Sequence, residues 1–377
     1  MKILLLDAAN QNTLAIVRHM GRAGHEIHLV GYQHRSLAFY SKYVFKKYIF
    51  PDPRKDAETY INSILDLLSK ESFGMIMPVG FKSYQICSKN RDAIRKYTRL
   101  IITSDENISL AVSKQRTYDC ASQIGIPVPA TYRVKDAEEI KDLPLTYPVV
   151  IKSPFESGKN VVEYANSLEE VVIKFQRMCK SENLSAPDNP LLQEYVVGDG
   201  YGFFAIYKEG KCMRYFMHHR IREYPVTGGA SVCAESFNDD ELKSIGMKLL
   251  DNLKWEGVAM VEFKKDNLDG KYKLMEINPK LWGSLELAIT SGINFPELLV
   301  EASEGSLELK ESLYSKATFQ WLLNGELFHF LEKPRSFFRI LGSLFISKKD
   351  FRWGDIKPNL FQVANIFVHY KKKFSSR

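Results

Sequence analysis

The residues best suited to chemistry in this chain are two acids and an amide, Glu262, Glu276 and Asn278. Side chains alternate between the two faces of a strand, so Glu276 and Asn278 project to the same side of segment 273–280. An Asp-Gly pair at 269–270 is typical of a hairpin turn, and a hairpin about it brings Glu262 beside them. Three oxygen ligands without histidine or cysteine suit a hard cation such as Mg²⁺, held together with substrate phosphates.

An ordinary strand is the alternative interpretation, because acids that alternate along a strand usually face water. Pro279 ends the strand directly after Asn278, which favours a placed strand end over a solvated face. From these residues alone, a metal site and a solvated strand both stay open.

The composition is that of a globular protein, with 377 residues of which 45% are hydrophobic and 26% charged. The chain reaches an acid at Asp7 after too short an apolar run for a signal peptide, and no run approaches the length of a membrane span. Its five cysteines form no CxxC pair, which argues against a disulfide framework or a zinc site. We expect a cytoplasmic protein with reduced thiols.

The first 110 residues predict an α/β domain with a Rossmann-like, open parallel sheet. Hydrophobic periodicity indicates alternating strands and helices at 2–7, 11–22, 26–31, 60–68 and 74–79. The first turn, at 7–12, lacks the GxGxxG pattern, so nicotinamide binding is not supported. One helix over 108–124, followed by prolines, predicts a domain boundary.

Two lysines occupy positions from which an ammonium group could reach a phosphate, although a lone helical lysine such as Lys114 is usually only a solvated charge. Lys114 lies early in the predicted helix, and Lys152 ends a predicted strand. The loop 153–159 contains Ser157 and Gly158, and such a loop folds over phosphates through its backbone N–H groups. It does not match the GxxxxGK[ST] pattern, and a plain hairpin connection is the alternative.

Two further segments have the residue types of a ligand site. Segment 191–200 predicts a strand and a glycine-rich end that lay their backbone along the edge of a purine. Arg220 and Arg222 are predicted to share one face of a strand that runs into the glycine loop 227–231. Two arginines on one face suit an anionic substrate or an acyl phosphate, with a solvated strand as the alternative.

Taken in order, these motifs resemble the ATP-grasp superfamily, and within it the carbamoyl-phosphate synthase large chain. The motifs are Lys114, Lys152, the Glu-Ser-Gly-Lys loop, Gln-Glu-Tyr-Val-Val-Gly, His-Arg-Ile-Arg-Glu-Tyr-Pro-x-Thr-Gly-Gly and Glu-x-Asn-Pro-Lys. The resemblance implies α+β lobes with antiparallel sheets after the α/β domain. It divides the chain into a pre-ATP-grasp domain at 1–110, a small lobe with the phosphate lid at 111–190, a large lobe with the Mg-ATP site at 191–305, and a helical basic extension at 306–377.

The resemblance also implies a role for each candidate residue. ATP phosphates are assigned to Lys114 and Lys152, the closing lid to Ser157 and Gly158, adenine to Glu194, Val196 and Val197, ribose to Asp199, and two Mg²⁺ ions to Glu262, Glu276 and Asn278, with Mn²⁺ as an alternative metal. Arg220, Arg222 and Lys280 are the candidates for the substrate and the acyl phosphate. Many family members have an arginine at the position of Lys280, so the charge is kept while the bidentate grip is lost. Many also have a glutamate for ribose, where this chain offers Asp199.

The family's usual reaction activates a carboxylate as an acyl phosphate that an amine then captures. We therefore expect an ATP-dependent carboxylate–amine ligase with small-molecule carboxylate and amine substrates. A non-catalytic nucleotide-binding or scaffold protein and an ATP-grasp phosphotransferase or carboxylase without ligation are the competing hypotheses. Related proteins often form dimers, so a homodimer is compatible with the resemblance.

The C-terminal segment 310–377 has a composition of its own. It holds 13 of the Lys and Arg residues against 5 acids, so the formal charge of +7 is concentrated here and general nucleic-acid binding is not supported. Its 14 aromatic residues alternate with bases, which suits an anionic membrane surface and a lipid-linked or cell-envelope substrate at the inner face of the membrane. A helical subdomain that packs its aromatic residues on the body is the alternative, and the sequence favours it somewhat.

Overall fold

The computed structural model of the protein describes residues 1–155 and 162–375. The chain begins with a parallel four-stranded sheet whose strand order is β3-β2-β1-β4. Its elements are β1 (Lys2–Leu5), α1 (Gln11–Arg22), β2 (Glu26–Gly31), β3 (Val44–Ile49), α2 (Ala57–Lys70), β4 (Met75–Met77), α3 (Phe81–Lys89) and α4 (Arg91–Arg95). The α/β beginning predicted from hydrophobic periodicity is therefore confirmed.

Two helices, α5 (Asp105–Val112) and α6 (Lys114–Gln123), follow the parallel sheet. The sequence predicts a single helix over 108–124, and that prediction is wrong. The chain breaks at Ser113, whose backbone is extended and whose hydroxyl accepts a hydrogen bond from the N–H of Arg116. A serine that caps a helix in this way satisfies a donor that the first helical turn leaves without a partner. Lys114 is therefore the first residue of its own helix.

A small antiparallel sheet of order β5-β8-β6-β7 comes next. It consists of β5 (Thr131–Tyr132), β6 (Val149–Lys152), β7 (Val162–Ala165) and β8 (Leu191–Glu194), with α7 (Leu168–Ser181) between β7 and β8. An apolar cluster that includes Ile151, Phe175 and Leu192 joins the sheet to α7. The sheet therefore presents the end of β6, with Lys152, next to the helix that Lys114 begins.

A seven-stranded sheet of order β13-β12-β9-β10-β11-β14-β15 forms the rest of the body. Its antiparallel part contains β9 (Gly200–Lys208), β10 (Lys211–Tyr224), β11 (Ala230–Ser236), β12 (Gly257–Lys265) and β13 (Tyr272–Asn278), with α8 (Asp240–Asn252) between β11 and β12. The remaining elements are α9 (Leu285–Ser291), α10 (Phe295–Glu304), β14 (Thr318–Gln320), α11 (Glu326–Glu332), α12 (Phe337–Ile346), β15 (Lys348–Lys349) and α13 (Ile356–Ser375).

The parallel sheet and the large sheet share one hydrophobic core. Leu5 and Met77 of the first sheet belong to the same buried cluster as Phe204 of β9 and Trp282. The Trp282 ring lies between Phe204 and Phe295, with ring centroids 4.4 and 4.8 Å away. Contacts of this density hold the carboxyl ends of β1 and β4 against the segment that follows β13.

The C-terminal segment is helical, as predicted, and it also completes the large sheet. Strand β14 pairs antiparallel with β11, and β15 adds a parallel edge beyond it. The Arg18 guanidinium of α1 donates to Asp355 Oδ2 at 3.0 Å, and both side chains are almost fully buried. The segment thus packs on the body, which supports the helical-subdomain alternative. Among the described residues, no helix is both long and apolar enough to cross a bilayer.

Candidate active site

The three oxygen ligands predicted from the sequence meet at the end of the β12–β13 hairpin. Glu262 and Glu276 are direct partners across the antiparallel ladder. Asn278 Nδ2 donates to Glu276 Oε1 at 2.6 Å and to Glu262 Oε1 at 3.4 Å. The loop between the strands is closed by Gly270, whose N–H donates to the Asp266 carbonyl at 2.8 Å. Strand alternation and a short hairpin loop therefore create the convergence.

The electrostatics of this cluster favour a bound cation. Burial and the like charge of Glu276 raise the pKa of Glu262 to about 7, while Arg220 acts in the opposite direction. A cation between the two carboxylates would relieve their repulsion, and a 180° turn of the Asn278 amide presents Oδ1 as a third ligand. In the described part of the chain, no cluster of three His, Cys, Asp or Glu side chains is placed to bind a metal. The candidate site therefore depends on the amide for its third oxygen, and the donor set fits Mg²⁺.

Arg220 joins this cluster to the glycine-rich loop after β10. Its Nη2 donates to Glu262 Oε2 at 2.9 Å, and its Nη1 donates to Glu223 Oε2 at 3.1 Å and to the Gly229 carbonyl at 3.0 Å. Its Nε donates to Ser231 Oγ at 3.0 Å. All three guanidinium nitrogens are engaged, so the arginine fixes the loop and one carboxylate of the candidate metal site with the same planar group.

Lys152 is a buried cation next to the carboxylates. Its Nζ donates to the Tyr118 hydroxyl and, at 2.7 Å, to Gln193 Oε1, and the Tyr118 hydroxyl donates to the Met275 carbonyl at 2.8 Å. Burial lowers the pKa of Lys152 to about 8, against the favourable charge of Glu276. Within 1–155 and 162–375, no carboxylate lies within ion-pair distance of its ammonium. An anion brought to this point would stabilise the charged form.

Lys114 begins the helix that carries Tyr118. Its backbone N–H donates to the Pro154 carbonyl at 3.0 Å, which ties the start of α6 to the residues just after Lys152. Burial raises the pKa of Tyr118 to about 12, and the nearby Lys114 charge acts in the opposite direction. Lys152 therefore contacts the Tyr118 hydroxyl, and the charge of Lys114 lies near enough to influence the same group.

A known protein family matches the part of the chain that contains Glu262, Glu276 and Asn278. Residues 191–322 match a family described as ATP-grasp in the biosynthetic pathway with Ter operon. The chain is 26% identical over 196 residues to the N-terminal section of the carbamoyl phosphate synthase large chain of Methanopyrus kandleri, covering 49% of this chain and 34% of that protein. It is 22% identical over 252 residues to the Thermoplasma acidophilum large chain, covering 61% of this chain and 23% of that one. The match thus spans about a third or less of these relatives.

Solved structures share the arrangement of sheets. The biotin carboxylase domain of the Hydrogenobacter thermophilus 2-oxoglutarate carboxylase, in complex with MgADP and bicarbonate, superposes with a TM-score of 0.67 at 16% identity, over 84% of this chain and 73% of that one. The L-amino acid ligase of Bacillus licheniformis gives a TM-score of 0.65 at 14% identity, over 81% and 75%. The chain has the ATP-grasp fold. The resemblance inferred from the sequence motifs is thereby confirmed.

The ATP-grasp residues predicted to hold adenine lie where β8 leads into β9. Glu194 Oε1 accepts from Lys273 Nζ at 2.6 Å, so this carboxylate is fixed by a lysine of β13. The Val196 carbonyl accepts from Lys264 Nζ at 3.0 Å, and the Val197 carbonyl accepts from a backbone N–H at 2.8 Å. The segment is therefore held against the hairpin that carries the candidate metal ligands.

The glycine at 198 is required by a close crossing of two backbones. A Cβ on Gly198 would lie 1.8 Å from the Lys265 carbonyl oxygen, so no side chain fits. The adjacent Asp199, the ribose candidate, is 71% exposed at its side chain and lies 3.4 Å from His219 Nε2. Its carboxylate is open to a ligand from the solvent side.

Arg222 does not share a face with Arg220, and that prediction is wrong. Arg220 lies opposite Ala234 and Arg222 opposite Cys233, so two steps along β10 match one step along β11. The extra residue, Ile221, is a β-bulge that sends the two arginines to opposite faces. Arg222 Nη2 instead forms a buried ion pair with Glu326 Oε1 at 2.5 Å.

The described contacts do not bring Lys280 to the carboxylate cluster. Lys280 lies near Asp7 at the carboxyl end of β1, where its charge lowers the pKa of that buried acid against the larger effect of burial. Ser157 and Gly158 lie outside the described residues. Their assignment to a phosphate lid stays a prediction.

Sequence reasoning missed the residues that hold the candidates in place. Tyr118 and Gln193 position Lys152, and Lys273 positions Glu194. Tyr118 follows Lys114 by four residues on a helix, a spacing that puts both on one face and could have identified it. Gln193 and Lys273 act across strands that are distant in sequence, and no local signal marks them.

Proposed function

We propose that this protein is an ATP- and Mg²⁺-dependent ligase that activates a substrate carboxylate as an acyl phosphate and joins it to an amine. The observation that carries the proposal is the convergence of Glu262, Glu276 and Asn278 beside the buried Lys152, for which the described residues (1–155 and 162–375) offer no ion-pair partner. A cation would stabilise the two carboxylates together with the amide oxygen, and an anion would stabilise the charged form of Lys152. Magnesium-bound triphosphate supplies both charges.

The chain's residues would then act mainly by positioning and by charge. Lys152 and Lys114 would neutralise phosphate oxygens, and Tyr118 would orient the first of these ammonium groups. Glu194 and the backbone at Val196 and Val197 would hold the adenine. Bound Mg²⁺, held by Glu262, Glu276 and Asn278, would supply further charge neutralisation between the phosphates.

The proposed reaction has two steps. A substrate carboxylate oxygen attacks the γ-phosphorus, the bond to the β-phosphate oxygen breaks, and ADP leaves. The amine then attacks the acyl carbon, loses a proton, and expels inorganic phosphate. Arg220, which is bonded to the glycine-rich loop, would stabilise the anionic acyl phosphate, and Lys280 near Asp7 would meet a substrate from the side of the parallel sheet.

Two alternative functions are separated by one trapping experiment. A phosphotransferase or carboxylase-type enzyme is favoured by the biotin carboxylase neighbours, and a non-catalytic nucleotide-binding protein would keep the fold without turnover. Hydroxylamine converts an acyl phosphate into a hydroxamate, so its formation with Mg·ATP and a carboxylate identifies the activation step. ATP binding without ADP release under every condition would instead indicate a sensor or scaffold.

The decisive assay measures ADP release with Mg·ATP against a panel of amino acids, sugar acids and amines. We expect release to need both a carboxylate and an amine, and to fall at least a hundredfold in Glu276→Gln. Glu308→Gln, an exposed acid far along the chain, serves as the matched control and should not change release. Equal turnover in Glu276→Gln and the wild type, with equal melting temperatures, would refute the assignment.

Other finer assignments are also part of this proposal. The lobe boundaries near residues 110, 190 and 305, the use of two metal ions, and Mn²⁺ as a replacement are carried over from the resemblance. A homodimer is supported by the description of the Hydrogenobacter thermophilus domain as a dimer. Contact of residues 310–377 with the inner membrane face, and thus a lipid-linked or cell-envelope substrate, is supported by the bases and exposed aromatic side chains of that segment.

A further inference from the structure

Helix α12 differs from an ordinary surface helix because it turns large apolar side chains to solvent as well as to the body. Its outward stripe, at helical spacing, consists of Phe338, Leu341, Phe345 and Ile346. Phe338, Phe345 and Ile346 are 80, 84 and 77% exposed. Surface helices of globular proteins turn such a stripe to the core. A contiguous apolar stripe in water therefore indicates a surface that has a partner.

The side of α12 that faces the body carries the half-buried Ile340 and Leu344 and is fixed by hydrogen bonds. Ser343 Oγ accepts from Arg222 Nη2 at 2.9 Å, and Ser347 Oγ donates to Gln320 Oε1 at 3.1 Å. Gln320 Nε2 also donates to the Ile340 carbonyl at 3.4 Å. Turning the helix over would break these partly buried hydrogen bonds and leave their partners unsatisfied. The outward direction of the aromatic stripe is thus fixed by the contacts beneath it.

Charge identifies the partner that fits this surface. Residues 333–349 contain five bases and no acid. Lys333, Arg335, Arg339 and Lys348 are exposed around the stripe. Bases that surround aromatic and aliphatic side chains match a layer of phosphates above an apolar interior. A second copy of this chain fits less well, because a two-fold contact would place the same bases against each other.

We propose that α12 is a docking helix that lies in the headgroup layer of an anionic membrane, with its stripe at the acyl boundary and its bases at lipid phosphates. This proposal assigns the membrane contact of residues 310–377 to one helix. It rests on the proposed function only for the choice of a membrane as the partner. It does not depend on ligation. A chain that binds vesicles without turnover, or turns over without binding vesicles, separates the two proposals.

Docking of α12 would affect a region close to the glycine loop 227–231. Helix α11, which precedes α12, accepts the Val226 N–H through Glu332 Oε2 at 3.0 Å, and its His329 Nδ1 lies 2.7 Å from the Glu223 carbonyl. Glu223 in turn pairs with Arg220. The docked surface is therefore joined by direct contacts to the loop that Arg220 fixes.

The test is flotation of the full chain with vesicles. We expect binding to phosphatidylcholine vesicles that contain 30% phosphatidylglycerol, loss of binding in 0.5 M salt, and no binding to pure phosphatidylcholine. Phe338→Ser/Phe345→Ser should weaken binding at least tenfold, and Arg335→Gln/Arg339→Gln by about thirtyfold. The matched controls are Leu309→Ser/Leu313→Ser and Lys310→Gln/Lys316→Gln, which alter exposed side chains of the same segment outside α12 and should bind as the wild type does.

A fluorescent reporter on α12 tests directly whether this helix enters the membrane. Trp353 is 84% exposed, and the other three tryptophans are buried, so Trp353→Phe/Phe345→Trp has one exposed indole on the stripe. Its emission should shift to the blue and be quenched by brominated lipid only with anionic vesicles. The proposal would be overturned if the emission stays unaltered, or if vesicle binding survives Phe338→Ser/Phe345→Ser. It would also be overturned if the wild type is a dimer that this double variant makes monomeric. The last outcome would assign the stripe to contact between copies. Melting temperatures equal to the wild type confirm that these exposed substitutions leave the fold intact.

Discussion

Arg220 Nη2 donates to Glu262 Oε2 at 2.9 Å, so the arginine that holds the glycine-rich loop also holds a carboxylate of the candidate metal site. The same guanidinium lowers the pKa that burial and Glu276 raise in Glu262. Arg220 thereby links the position of the loop to the protonation of Glu262, and through Glu262 to the affinity of the candidate site for a metal.

Replacing Arg220 should make metal dependence more sensitive to pH. In Arg220→Met, the pKa of Glu262 should rise above its present value of about 7, because the neighbouring positive charge is lost. At pH 7 more of this carboxylate would be protonated, and the Mg²⁺ concentration for half-maximal ADP release should increase about tenfold. Titrating Mg²⁺ at pH 7 and pH 8.5 measures the effect, which should shrink at the higher pH. Arg214→Met, on the same strand, is the control, and an equal shift in both variants would contradict the linkage.

Nucleotide affinity should fall as pH rises through about 8. The pKa of Lys152 is lowered from 10.5 to about 8 by burial, and bound phosphates favour the charged form. Binding is thus strongest below pH 8 and weakens by up to about tenfold for each pH unit above it, until the pH reaches the higher pKa that Lys152 has in the complex. In the free protein the sign for stability is opposite, since between pH 8 and 10.5 the unfolded chain binds more protons and the free energy of unfolding rises with pH.

Calorimetric titration of ADP between pH 7 and 9.5 checks this dependence. Lys152→Met should bind ADP weakly, and its affinity should not fall as the pH passes 8. Lys70 is an exposed lysine of α2, and Lys70→Met should keep the pH dependence of the wild type. A wild-type affinity that is flat across this range would show that Lys152 is not the phosphate ligand.

Tyr118→Phe should raise the KM for ATP about tenfold, in the range found for groups that orient a ligand without touching it. The substitution removes only the hydroxyl that accepts from Lys152 and donates to the Met275 carbonyl. Steady-state kinetics give the KM, and Tyr97→Phe, a half-exposed tyrosine, is the control. If kcat falls while KM stays constant, the tyrosine acts on the chemical step and not through Lys152.

Breaking the Arg222–Glu326 pair should destabilise the protein by about 3–5 kcal/mol, because Glu326 would be left as a buried charge held only by the neutral Gln320 amide. Urea unfolding of Arg222→Met measures the loss, and Arg222→Met/Glu326→Leu should recover part of it. Arg54→Met, which breaks an exposed ion pair, should cost about 1 kcal/mol or less. Normal stability with lost turnover in Arg222→Met would instead restore this arginine to the catalytic set.

The parts of the site that the sequence predicts are those governed by local rules. Alternation along β13 puts Glu276 and Asn278 on one side, and a hairpin that closes at Gly270 brings Glu262 opposite. Both rules act over fewer than twenty residues, so a single sequence contains them. Helix α1 is predicted to its bounds for the same reason, since its apolar residues keep a regular helical spacing.

The failures come from features without a local signal. The bulge at Ile221 depends on how β10 fits β11, and it reverses the direction of Arg222. Pairing of Gln320 with Cys233 joins strands more than eighty residues apart, so the C-terminal segment gives no sign in sequence that it completes the sheet. Removing residues after 306 would therefore expose the edge of β11 as well as delete α12, and point substitutions on α12 test membrane contact more cleanly.

The buried Arg18–Asp355 contact also bears on how the chain is made. The two residues are 337 positions apart, and Arg18 donates as well to Asn359 Oδ1 at 2.8 Å. A ribosome that adds about 5–20 residues per second would need roughly 20–70 s between helix α1 and its acceptor. During that interval the guanidinium and the Ser41 hydroxyl beside it would be without their C-terminal partners. The packing around α1 is completed only by residues synthesised more than 330 positions later, so a newly made chain is more exposed to proteolysis and chaperone capture until those residues have emerged.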